Sequence, residues 1–185
     1  MRGRAFILAL GLATAFAAGC TWLGAVDIGG PETTPENDRA DAIYAAVVRQ
    51  LLTRDHTYGQ ATLRYRAVYV LDGPVPDGVN PTDSNERPRR PFSEDLKAAL
   101  GTSLADLAPL TFVRFKGAAF ADQVRGGKGH VALVALGPIQ GDRGRAEVGA
   151  NLWMDGYPLI WLTYVVLKRG ETWRVTGTTG PIAIA

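Results

Sequence analysis

Tyr157-Pro158-Leu159-Ile160-Trp161-Leu162-Thr163-Tyr164-Val165-Val166-Leu167-Lys168-Arg169 decides the fold, because this run is apolar at both odd and even positions. Successive side chains of a strand point to opposite faces, so a strand of this kind must be covered on both sides. It is therefore read as a central strand over 157–168, covered by a helix, by sheet curvature or by a partner. On its C-terminal side, Arg169-Gly170-Glu171 marks a tight turn into a further strand over 172–179. On its N-terminal side, Asp155-Gly156 between two apolar runs is a strong hairpin signal. Strands over 129–139 and 145–154 precede it, so the C-terminal part reads as a meander with short connections.

Further towards the N-terminus the period changes. Thr34-Pro35-Glu36 combines a hydroxyl cap, a proline in the first turn and an acid at the positive end of a helix dipole. Ala40, Ile43, Tyr44, Val47, Val48, Leu51 and Leu52 then recur at helical spacing, with Asp38, Asp41, Gln50 and Arg54 elsewhere on the wheel. Residues 62–71 alternate as a half-buried strand, Leu63, Tyr65, Ala67, Tyr69 and Leu71 on one side and Arg64 and Arg66 on the other. Asp72 to Pro91 holds too many prolines and glycines for regular structure and reads as one long surface loop. Ser93 caps a short helix carrying Leu96, Ala99 and Leu100, with a further turn through Leu104 and Leu107, and 110–116 is a strand. The expected fold is α+β: an N-terminal helix and a short second helix packed on a curved antiparallel sheet of about five to six strands.

The chain of 185 residues carries 20 Lys and Arg against 18 Asp and Glu. Without Arg2 and Arg4 the two signs balance, and no basic run exceeds Arg87-Pro88-Arg89-Arg90, so a nucleic-acid partner is not expected. One cysteine and two histidines, His56 and His130, exclude an internal disulfide and thiolate or His-rich metal centres. No metal site and no cofactor are expected.

Residues 1–20 read in three parts: basic Met1-Arg2-Gly3-Arg4, an apolar run from Ala5 to Phe16, and small residues Ala17-Ala18-Gly19 before Cys20. The apolar run is shorter than the ~20 residues of a spanning helix, which makes it a signal peptide over 1–19. Ala17-Ala18-Gly19-Cys20 resembles the lipobox of bacterial lipoproteins, with Ala17 where leucine is usual. That resemblance implies lipidation of Cys20 and export to a cell membrane or outer membrane, with Thr21 favouring the outer one. Gly24, Gly29, Gly30 and Pro31 make 20–34 a flexible linker, and 35–185 is expected to be one globular domain.

The hairpins ending in Glu171-Thr172-Trp173-Arg174-Val175 resemble the SnoaL-like and nuclear-transport-factor-like cone superfamily. The resemblance implies helices filling the concave side of a bent sheet and, in catalytic members, an Asp/His pair lining the cone. Asp55 and His56, next to Tyr58, are the adjacent pair suited to general acid/base work, and they also suit a plain helix C-terminus. Glu147 and Asn151 share strand parity within an apolar run, and Trp153, Trp161, Trp173 and Tyr164 are aromatics suited to a pocket or a core. Gly126-Gly127-Lys128-Gly129 before His130 lacks the phosphate-loop pattern and reads as a hairpin connection. Ser84, Ser93 and Ser103 sit in no nucleophile motif. The favoured expectation is a non-catalytic module bound to the membrane through its lipid, facing an envelope protein or a small apolar ligand. The rival is a SnoaL-like enzyme or ligand carrier with a pocket of His56, Asp55, Tyr58, Glu147, Asn151 and Trp161.

Overall fold

The computed structural model describes residues 34–56, 62–76, 88, 90–114, 117, 128–154 and 157–184, so the expected signal peptide with Cys20, Tyr58 and the expected hairpin at Asp155-Gly156 lie outside the described residues. Two helices and seven strands follow in the order α1 (Thr34–Thr53), β1 (Tyr65–Leu71), α2 (Glu94–Ser103), β2 (Leu110–Val113), β3 (His130–Leu136), β4 (Gln140–Gly141), β5 (Arg145–Met154), β6 (Tyr157–Arg169) and β7 (Thr172–Ile184). The strands form one sheet in the order β2-β1-β3-β5-β6-β7, with β4 added against β5. The class is α+β, as the alternation of periods predicts.

The sheet is mixed rather than antiparallel, and it has seven strands rather than five to six. β1 runs parallel to both β2 and β3, whereas β3, β5, β6 and β7 are antiparallel in succession. Parallel neighbours need a crossover of a dozen or more residues, and both long connections in the chain, 72–109 and 114–129, serve that purpose. The glycine-rich stretch before His130 therefore leads into a parallel strand and not into a hairpin. Gly129 takes φ +94°, and a Cβ there would sit 3.0 Å from the Arg64 carbonyl oxygen, which itself accepts from the His130 N–H at 2.9 Å. The seventh strand is β4, two residues just beyond the expected 129–139 run, paired with β5.

The apolar stripe of α1 is buried as its spacing demands: Ile43, Tyr44, Val47, Val48, Leu51 and Leu52 lie at or below 4% exposure. Each such side chain contributes ~1.5–3 kcal/mol by leaving water. They pack with Leu96, Leu100 and Leu104 of α2 and its C-terminal turn onto Val68, Val134, Val148, Leu162, Tyr164 and Val166 of the sheet. Ser93 caps α2, its hydroxyl accepting from the Leu96 N–H at 3.2 Å. A smaller cluster lies on the other face: Leu71, Val75, Val113, Leu133, Ala135 and Trp153, with Tyr69 against it.

β1 departs from simple alternation. Its pairing with β3 shifts between Tyr65 and Ala67, so Tyr65 packs on the helix-bearing face while Tyr69 and Leu71 belong to the opposite one. Val68 and Val70, at the even positions, are buried. A one-residue bulge reverses side-chain direction, which periodicity cannot register. β6 meets its expectation on one side only. Ile160, Leu162, Tyr164 and Val166 are buried under the helices, whereas Trp161, Thr163, Val165 and Leu167 on the other face are half-buried. Among the described residues no helix is long and apolar enough to cross a membrane.

Candidate functional site

α1 ends at Thr53, and the chain turns at once through Arg54, Asp55 and His56. The last carbonyls of a helix lack intrahelical partners. Here the Tyr65 hydroxyl donates to the Leu52 carbonyl at 2.6 Å, while the Asp55 N–H returns to the Gln50 carbonyl at 3.2 Å. The turn places the Asp55 carboxylate over β6, where it accepts the Tyr164 hydroxyl at 3.0 Å and the Gln50 amide at 3.2 Å. Tyr164 is fully buried, and burial, together with the Asp55 charge beside it, holds its phenol far above the ordinary tyrosine value. The phenol is a permanent hydrogen-bond donor in this setting.

His56 follows at 5% exposure, its Nδ1 buried with no hydrogen-bond partner among the described residues. The Asp55 carboxylate is bonded to Tyr164 and Gln50, so the geometry couples Asp55 to the sheet rather than to the imidazole. A carboxylate that prepares a histidine for proton transfer must accept from one of its ring nitrogens. The arrangement observed joins the end of α1 to the middle of β6. His130 lies at the same end of the sheet, its ring 6.4 Å from that of Tyr65 in an edge-on contact.

The other candidates are on the far side of the sheet. Asn151 is directly opposite Trp161 on β6 and Ala135 on β3, and Glu147 is opposite Val165. Directly opposed residues share a face, so Asn151, Trp161 and Glu147 face away from the helices. Asn151 is 7% exposed, with Oδ1 buried and without a partner among the described residues. Glu147 pairs with Arg145 two positions along its own strand. The sheet thus divides the five described candidates into Asp55 and His56 on one face and Glu147, Asn151 and Trp161 on the other. Tyr58, the sixth, is outside the described residues.

The aromatics divide in the same way. Tyr164 and Trp173 pack on the helix-bearing face, where the Arg39 guanidinium lies 5.6 Å from the Trp173 ring centre. Trp153 is in the opposite cluster. Among the described residues no three His, Cys, Asp or Glu side chains gather to hold a metal ion.

Sequence reasoning missed one polar assembly, at the base of the long loop. Asp72 Oδ1 accepts from the Phe92 N–H at 3.2 Å, and Oδ2 accepts from Lys97 Nζ at 3.0 Å, with both side chains largely buried. Glu94 also accepts from Lys97, and these two carboxylates raise the lysine above its ordinary value, Glu94 most. Gly73 brings the two ends of the loop into contact. At φ +132° its Cβ would lie 2.0 Å from the Arg90 carbonyl oxygen. The prolines and glycines of Asp72 to Pro91 signalled a loop, and nothing local pointed to Lys97, 25 residues from Asp72. No protein family, no curated protein and no solved structure matches this chain.

Proposed function

We propose that the protein is an exported lipoprotein held at a membrane through lipid on Cys20, and that its domain is a non-catalytic binding or envelope-associated module. The first half rests on the leader, in which a basic start, a short apolar run and small residues precede the sole cysteine of the chain. Several acyl chains, at ~0.8 kcal/mol per buried methylene, make such an anchor stable. The second half rests on one observation: the Asp55 carboxylate accepts Tyr164 and Gln50, which gives it a packing role. Metabolic labelling with an alkyne fatty acid tests the anchor. The label is expected on the wild-type protein in the membrane fraction and is lost in Cys20→Ala. Label absent from both, with an intact leader on cytosolic material, sinks the reading.

A second reading, a SnoaL-like small-molecule enzyme or ligand carrier, is favoured by two of the buried atoms without a hydrogen-bond partner among the described residues, His56 Nδ1 on the helix-bearing face and Asn151 Oδ1 on the other. Buried polar groups are almost always bonded, and each orphan costs ~1–3 kcal/mol. The two readings part at a single comparison. If His56→Ala and Asn151→Leu leave thermal stability unchanged or raised and the protein remains functional in cells, the module stands. Loss of function from a folded variant favours the pocket.

A further inference from the structure

The chain enters the domain at the end of the sheet that also carries the β6–β7 hairpin and the turn before β5. Arg39, near the start of α1, shows this: its Nη2 donates to the Asp142 carbonyl at 2.6 Å and its guanidinium covers Trp173 at the start of β7. Exposed Arg143, Arg145, Lys168, Arg169 and Arg174 gather at that end. Arg145 pairs with Glu147 and Lys168 with Glu171, whereas Arg143, Arg169 and Arg174 have no side-chain ion pair among the described residues. The nearest remaining acid, Asp142, is occupied by its own turn, accepting the Gly144 N–H at 2.7 Å and the Arg145 N–H at 2.9 Å. Those two amides hold its carboxyl below the usual carboxylate range.

The same basic end is amphipathic. Arg145, Leu167 and Arg174 are directly opposed across β5, β6 and β7, a single row on the helix-free face with half-buried Leu167 between two exposed arginines. Half-buried Val165 lies in the next row of the same face, between Glu147 of β5 and Gly177 of β7. Arginines flanking an apolar side chain match the boundary between phosphate headgroups and acyl chains.

We infer that this end of the domain, centred on Arg143, Leu167, Arg169 and Arg174, docks on an anionic lipid surface. The inference rests on the Cys20 anchor proposed above. The anchor supplies the argument for the occupant, because the stretch from Cys20 to Thr34 reaches at most roughly 50 Å even fully extended and joins α1 at the basic end. The anchor therefore confines this end to within roughly 50 Å of the bilayer, and at closer approach anionic headgroups attract its basic residues within about a Debye length, ~10 Å at 0.1 M salt.

The test uses the lipidated protein reconstituted in vesicles, with the fatty-acid label on Cys20 scored first so that loss of the anchor is recognised separately. A single engineered cysteine carries an environment-sensitive dye, in Thr172→Cys at the hairpin or in Thr102→Cys near the end of α2 as control. In phosphatidylcholine vesicles containing phosphatidylglycerol, the dye at 172 is expected to shift to the blue and be quenched by spin-labelled lipid, while the dye at 102 is not. Pure phosphatidylcholine or 0.5 M salt should abolish the difference. Charge reversal by R143E, R169E and R174E together should lower the docked-to-undocked ratio by roughly tenfold or more. The milder R169Q and R174Q pair checks the direction in a background whose fold is verified by its melting curve. With the label present on Cys20, equal signals at 172 and 102, or signals indifferent to phosphatidylglycerol, overturn the inference. A surface that reads an acidic protein instead gives that second result.

Discussion

The sheet has two halves built by different means. In β5, β6 and β7 the strands are sequence neighbours joined by short turns, and their pairing follows the chain. In β2, β1 and β3 they are parallel, and every connection between them is a crossover. The antiparallel half is held by side chains in layers, with Tyr164 and Val166 under α1 and Trp173 at its margin. The parallel half also depends on backbone approach and polar closure away from the strands: Gly73 against Arg90, Asp72 holding Phe92 and Lys97, and the Val75 N–H donating to the Leu136 carbonyl at 2.8 Å. Short connections let packing alone fix register, whereas a crossover must also be closed at its base.

The sharpest way to break this contrast is Gly73→Ala. Positive φ and a Cβ 2.0 Å from a backbone oxygen together cost about 3 kcal/mol or more, and denaturant unfolding should show it. A cost below about 1 kcal/mol would mean that the loop base is not a constraint. Lys97→Met comes next. It removes the ammonium from a largely buried carboxylate and should cost about 2 kcal/mol, read in the same way.

In the antiparallel half, Tyr164→Phe deletes one hydrogen bond and should cost about 1 kcal/mol at neutral pH. Its pH dependence is more telling. The folded-state phenol is raised above its unfolded value of about 10, so above that pH the unfolded chain releases a proton that the folded one retains. Stability therefore falls as pH rises past 10 in the wild type, and urea midpoints between pH 9 and 11 should fall less in the variant. Gly177→Ala closes the series with the smallest effect. Nothing lies within 4 Å of a Cβ there, so the variant should be stabilised by about 0.5 kcal/mol. A destabilisation comparable to that of Gly73→Ala would erase the distinction between the halves.

The same contrast explains what was readable in the chain. The α1 stripe, the Ser93 cap and the strand over 145–154 appear where spacing and turn residues put them, because each depends on neighbours a few positions away. β1 was read on the wrong parity at Tyr65, since the bulge after it is visible only against β3. The antiparallel expectation failed for a related reason. A long loop rich in proline and glycine says where the chain is irregular but not which edge it returns to.

For the candidate site the divide is sharper. Asp55 and His56 stood out as adjacent residues, yet the role of Asp55 came from Tyr164, 109 positions beyond it, whose hydroxyl donates to the carboxylate. Glu147, Asn151 and Trp161 were grouped with them by type, and the sheet placed them on its other side. The sequence by itself determined the balance of charge, the identity of the helices and most strands, because these are properties of composition and of short-range period. Tertiary structure alone decided strand direction, the face each polar residue occupies and the closure of the long loop. Each of those depends on contacts between residues far apart in the chain, on which local propensity has no bearing.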